Sequence, residues 1–164
     1  HTPVITNSGD VVKQRKQVCL RNAKQIPDVN VLFSDAPYSL DFIDVLDKQF
    51  FLVSMEMKKV FQMYEPGMIF KNVCILNNHM NEYHEYVLPL FYEMDCLSEN
   101  SQVSPDKSHV KKLCLQHNFD SASIFKVAGL MTDVVMIRLD VAESLMRRGI
   151  YKYVLEPVEI EEMK

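Results

Sequence analysis

Two stretches of this chain repeat one pattern: an apolar strand, a polar break, then a helix. The first is FFLVSMEMKKVF (50–61) and the second is VVMIRLDVAESL (134–145). Val53 matches Ile137, Met57 matches Val141 and Phe61 matches Leu145, each pair 84 positions apart. After the helix, FKNVCI (70–75) matches LEPVEI (155–160) at a spacing of 85. The extra residue falls in the loop between helix and strand, where insertions are tolerated. Two copies are too few for a solenoid. The chain therefore reads as two similar strand–helix–strand units, 50–76 and 124–160, joined by a strand-rich connection and a helix over 82–118. An irregular lead-in covers 1–39, and the whole of 1–164 reads as a single domain, within the range of roughly 100–200 residues typical of one. The fold class this predicts is α+β, with mixed, largely antiparallel sheets and about three main helices.

Local signals place the elements. A short strand is expected over 11–20, and Pro27, Pro37 and SDAPY (34–38) punctuate the lead-in as turns. A short helical turn is expected over 41–49, then a buried strand at FFLV (50–53). Ser54 is a natural N-cap, with Glu56 in the first turn to complement the helix dipole. Met57, Val60, Phe61 and Tyr64 form one helical stripe, and Pro66 and Gly67 end it. A strand over 69–76, a turn over 77–81 and a strand over 83–97 interrupted near Pro89 come next. After a polar loop (98–104), Ser104, Pro105 and Asp106 read as the start of a helix with Val110, Leu113, Cys114 and His117 as its stripe. Strands over 124–127 and 134–137 flank a turn at Gly129. A last helix starts at or just before Asp140, which forms a capping box with Glu143, and Gly149 ends it. A final strand over 153–160 carries Pro157, which marks an edge or a bulge.

Composition removes several function classes. An apolar fraction of 48% and a charged fraction of 24% are those of a globular protein, not a disordered or fibrous one. Four glycines and no tryptophan leave little material for phosphate-cradling loops or Trp cages. Net charge −4 carries no nucleic-acid footprint, though it suits a basic protein partner. No apolar run approaches the ~20 residues of a membrane span. The chain opens at His1 without an initiator Met, as a trimmed chain does, which leaves room for a removed signal peptide. Cys19, Cys74, Cys96 and Cys114 lack close spacing and sit among apolar residues, so they read as free thiols and the expected compartment is the cytoplasm.

The search for chemistry finds little. HMNEYHEY (79–86) gathers His79, Glu82, His84 and Glu85, but His79 and His84 are five apart, which fits neither a helix face nor a strand face. A solvated hairpin is the simpler reading. Cys114 shares its predicted stripe with Val110 and Leu113 and reads as core rather than as a nucleophile for His109 or His117. Carboxylate pairs such as Asp41 with Asp44 and Glu156 with Glu159 arise freely in a charged sequence. The ten methionines, of which Met55, Met57, Met63 and Met68 lie around the first helix, read as core filling. There is no phosphate loop, no dinucleotide fingerprint and no zinc-finger spacing, so no cofactor, metal or catalytic residue is expected.

Several segments together carry a family resemblance. LDFIDV (40–45) leads into FFLVSMEMKKVF…FKNVCIL, MDCLSENSQV (94–103) precedes the closing unit, and IFKVAG (124–129), VVMIRLDVAESLMRRG and LEPVEI end the chain. This arrangement resembles a bacterial immunity-protein family of polymorphic toxin systems, first described as a domain of unknown function. The resemblance spans roughly 40–160 and rests on short, structural motifs. One position departs: Arg138 stands where the first unit has Ser54. The resemblance implies a non-enzymatic protein that binds a cognate toxin and blocks it sterically, through aromatic anchors inside a charged rim. Candidate contacts are Glu82, Tyr83, Glu85 and Tyr86, with Glu156 and Glu159 from the acidic final strand. Two alternatives are a binding module acting as a homo-oligomer, signalled by an apolar patch, and a small hydrolase, signalled by a pocket holding a Cys or His of perturbed pKa.

Overall fold

The first helix forms where the sequence predicts it. In the computed structural model, which describes residues 18–39, 41, 43–47, 50–118, 122–150 and 152–161, α1 runs Met55–Tyr64. The Ser54 hydroxyl accepts the Met57 N–H at 3.2 Å and donates to Asp44 at 2.8 Å. Met57, Val60 and Phe61 are buried. The second helix, α2, runs Leu139–Arg147 and buries Val141, Ala142, Ser144 and Leu145. Its N-cap is Arg138, whose side chain makes no cap bond. Asp140 lies inside the first turn, held by the Arg138 guanidinium at 2.8 and 2.6 Å, so the expected capping box does not form. Gly149 follows α2 with φ +71, the left-handed conformation that suits glycine at a helix end.

Among the described residues twelve strands accompany the helices, and the mixture of sheets is mostly antiparallel, as expected of an α+β chain. The largest sheet has the order β1-β4-β5-β3-β2, built from β1 (Val29–Ser34), β2 (Val45–Leu46), β3 (Leu52–Val53), β4 (Ile69–Asn77) and β5 (Glu82–Leu90). β4 and β5 are a hairpin, and β3 pairs β5 antiparallel from the other side. β3 and β4 are therefore parallel to each other, and α1 crosses over β5 to connect them. β1 pairs β4 in parallel. β3 pairs β5 at Val87, so Pro89 lies past the end of that ladder and costs no hydrogen bond there. The remaining strands are β6 (Glu93–Met94), β7 (Gln102–Val103), β8 (Val110–Lys112), β9 (Cys114–Leu115), β10 (Ile124–Val127), β11 (Val135–Ile137) and β12 (Glu159–Ile160). They form a sheet β11-β10-β6 and the pairs β12-β9 and β7-β8.

Four sequence expectations change. Among the described residues there are two α-helices, not three. The residues expected to start a helix at Ser104 instead close the turn between β7 and β8. Ser104 Oγ accepts the His109 N–H at 2.9 Å and donates to Asp106 at 2.6 Å, while Asp106 also holds the Ser108 hydroxyl at 2.6 Å. Side chains that can cap a helix can equally close a loop, and here the loop wins. Within 1–39, part of the irregular lead-in is the strand β1, and the described end of the strand expected over 11–20 is a 3-10 turn, Leu20–Asn22; residues 1–17 lie outside the described residues. The helical turn expected over 41–49 contains β2 instead.

The repeat is half structural. Val53, Met57, Phe61, Val141 and Leu145 are all at most 2% exposed and share one apolar cluster, with Ile137 packed against it. The matched positions of the two units thus meet in a common core between α1, α2 and the sheet. The closing strand does not repeat. β4 joins the large sheet, whereas the strand expected over 153–160 shortens to β12, which pairs with β9 and leaves Leu155 and Ile160 exposed.

Candidate functional site

The five-stranded sheet has two faces, and the register assigns each side chain to one of them. On one face Val53 and Val87 sit beneath α1 in the shared core. The opposite face carries Leu32, Leu52, Val73, Ile75, Tyr86 and Leu88, which pack with Ala23 and half-buried Val18, Leu20 and Ile26 from the segment before β1. The alternation of a strand fixes the rest.

On the helix face the helices stop short of β1. Three cross-strand rows result: Val29–Asn72–Val87, Val31–Cys74–Glu85 and Phe33–Leu76–Tyr83. The first row runs from fully buried at Val87 to 63% exposed at Val29. The other two are open, with Val31 43%, Phe33 40% and Tyr83 67% exposed. Among the described residues nothing covers this half of the face. The edge of the helix layer passes between Val87 and Glu85 on β5. On β4 it is marked by Phe70, packed on the core with the Lys58 ammonium 5.6 Å from its ring centre. The open half is thus apolar, with Glu85 within it. Clustered exposed apolar side chains of this kind, rimmed by polar ones, mark interaction sites.

The contacts expected from sequence divide between the faces. Tyr83 and Glu85 lie in the open rows. Glu82 points to the opposite face, where it accepts both hydrogen-bond contacts of the Ser39 hydroxyl at 2.8 and 3.0 Å. Tyr86 is not an exposed aromatic: it is 4% exposed and its hydroxyl donates to the Ile43 carbonyl at 2.7 Å. Burial, and then the Asp44 charge, push that phenol's pKa up. Glu156 and Glu159 are exposed, but β12 belongs to a different sheet, and Glu159 is engaged by Lys112 at 2.8 Å. Val29, Val31 and Phe33, the apolar half of the site, were missed. Their signal was the alternating VNVLFS between Pro27 and Asp35.

Other polar groups are committed to structure. Lys126 lies between Asp133 (2.8 Å) and Glu93 (3.4 Å). Burial alone would lower its ammonium pKa, but the two carboxylates outweigh it and raise it. Cys96 is buried, which raises its thiol pKa, with Asp95 adding to the effect. A raised thiol pKa is the reverse of what a nucleophile needs. His84 has its imidazole pKa lowered by burial against the opposing pull of Glu82. Among the described residues no three His, Cys, Asp or Glu side chains group as metal ligands. A cavity of about 260 Å³ lies on the opposite face between Ile26, Leu32, Phe50, Leu52, Val73 and Leu88. Its lining is mixed, with Gln25 and Asn30 at its wall, and Asn30 already donates to the Pro27 carbonyl at 2.9 Å. Among the described residues no helix is long and apolar enough to cross a membrane. Scanned against protein-family models, curated proteins and solved structures, the chain matches none of them.

Proposed function

We propose that this chain is a non-catalytic protein-binding module of the immunity type, which neutralises a cognate toxin by covering its active surface. The observation that carries the reading is the open half of the helix face, where Phe33, Leu76 and Tyr83 form an apolar row beside Val31, Cys74 and Glu85. Tyr83 is a rigid amphipathic anchor, and an aromatic anchor amid apolar neighbours is what a protein hot spot requires. Glu85 and the net charge of −4 favour a partner whose rim is basic. The resemblance of 40–160 to the immunity family supplies the toxin as the class of partner. The four unpaired thiols support a reducing compartment, the cytoplasm.

The test begins with a partner captured from the native cells and then purified. Calorimetric titration should give one-to-one binding and suppression of the partner's toxicity. Tyr83→Ala and Phe33→Ser should each weaken binding by roughly 30-fold, the ~2 kcal/mol of a hot-spot residue. Binding unaffected by both substitutions, or binding that leaves the toxicity intact, would overturn the proposal.

A further inference from the structure

We infer that β1 is a pairing edge for a second copy of this chain, joining two five-stranded sheets across a two-fold axis at Val31. The inference goes beyond toxin binding and uses the backbone edge of the sheet, beside the open face.

Four observations carry it. First, β1 is the edge strand of the sheet among the described residues. Second, its sequence VNVLFS holds no charge and no proline, the devices that normally protect an edge from pairing. Third, the hydrogen-bond phase is known. The Asn72 N–H donates to the Asp28 carbonyl at 2.9 Å in a parallel ladder whose register places Val29 beside Asn72. The even-numbered residues of β1 therefore direct their backbone groups to β4. Val29, Val31 and Phe33 direct theirs outward. That set is symmetric about Val31. An antiparallel copy with Val31 opposite Val31 sets Val29 opposite Phe33, and each outward N–H meets an outward C=O. Fourth, the charge at the strand's start is already held, because Asp28 pairs with Lys71 at 2.6 Å.

The same register puts Val29 of each copy against Phe33 of the other on the helix face, so the two open patches become one continuous stripe. Side-chain contact then adds to backbone pairing. The contact is small. Six residues span only ~20 Å. An edge of that length buries less than the ~1,200 Å² of a stable interface. The dimer is therefore a weak one, with Kd on the order of 100 μM, as small transient interfaces have.

Sedimentation velocity over a concentration series, with hydrogen–deuterium exchange on the same samples, tests it. The wild type should pass from monomer to dimer as concentration rises, and the Val29, Val31 and Phe33 amides should gain protection in step. Val31→Pro removes an outward N–H without touching the ladder to β4, and Val31→Lys sets two ammonium groups face to face across the axis. Each should weaken association at least ~10-fold while the thermal melt stays cooperative. Val154→Lys, at an exposed apolar position outside β1, should leave it unchanged. A wild type that stays monomeric throughout would overturn the inference. So would a dimer whose β1 amides stay unprotected, or one that folded Val31→Pro and Val31→Lys variants still form.

Discussion

One face of the large sheet shows two halves with the same strand chemistry and opposite fates. On β3 and β5, Val53 and Val87 are fully buried beneath α1. On β1, Val29, Val31 and Phe33 face the same way and remain 63, 43 and 40% exposed. Hydrophobicity does not separate them, because a valine at 0% and a valine at 63% belong to one cross-strand row. What separates them is reach. α1 connects two strands that flank β5, so it must lie over β5, and β1 is added beyond β4 by a parallel pairing that brings no helix with it. The difference teaches that this sheet was extended past the cover available to it. The uncovered part is where a partner gains most from binding.

The comparison breaks hardest in a paired truncation. Phe61→Ala removes a 2%-exposed side chain that packs edge-on to Phe91 at 6.4 Å in the covered core. It should cost about 3–5 kcal/mol of unfolding free energy, read by denaturant titration. Phe33→Ser on the open half should change stability by less than ~1 kcal/mol, as surface substitutions do. Comparable losses from both would mean that the open half is packed in solution, and the distinction between the halves would fall.

A finer test concerns how the covering helices start. Ser54 caps α1 with its hydroxyl and is itself held by Asp44, which ties the helix start to the chain entering β2. Ser54→Ala should cost about 1–2 kcal/mol, the upper range for a lost N-cap. Arg138 occupies the same position before α2 but makes no cap bond, and its ion pair with Asp140 is about half exposed. Arg138→Ala should shift the denaturation midpoint less than Ser54→Ala does, since exposed pairs contribute little. Equal costs at the two positions would show that the second helix relies on its first turn as much as the first does.

How much of this was legible in the sequence depends on the range of the interaction that decides each feature. Ser54, Glu56 and the Met57–Val60–Phe61 stripe are local, and α1 was predicted from them almost to its ends. The matched core positions of the two units were visible as a periodicity. The class of fold followed, with one helix too many. That error arose because Ser104 and Asp106 bond locally in a loop as readily as at a helix start. The stretch that holds β1 reads as irregular, although VNVLFS alternates, because a parallel edge strand depends on a neighbour 43 positions away. The candidate site suffered from the two-residue period of strands. Tyr83 and Tyr86 stand three apart, so they point to opposite faces, and the sequence alone did not say where the strand began. Its partner residues on β1 come from another pairing altogether, which no local pattern announces.

The smallest expected effect lies outside both halves and serves as their control. In the turn between β7 and β8, hydroxyls of Ser104 and Ser108 and the Ser108 N–H bond the Asp106 carboxylate and hold its pKa down to about 2. A folded-state pKa below the ordinary 3.8 means that the charged form is favoured by the fold. Its contribution is therefore fully present above pH 3.8 and is lost as pH falls through about 2. The group is fully exposed, so the loss is confined to the loop and does not unfold the core. Carboxyl NMR should follow Asp106 with a midpoint near 2, and Ser104→Ala should move that midpoint back towards 3.8. Resonances of Val87, under α1, and Tyr83, in the open half, should not follow the same midpoint. A midpoint already at 3.8 in the wild type would mean that the hydroxyl bonds do not persist in solution. The turn would then lose the interactions that led it to close as a loop rather than begin a helix.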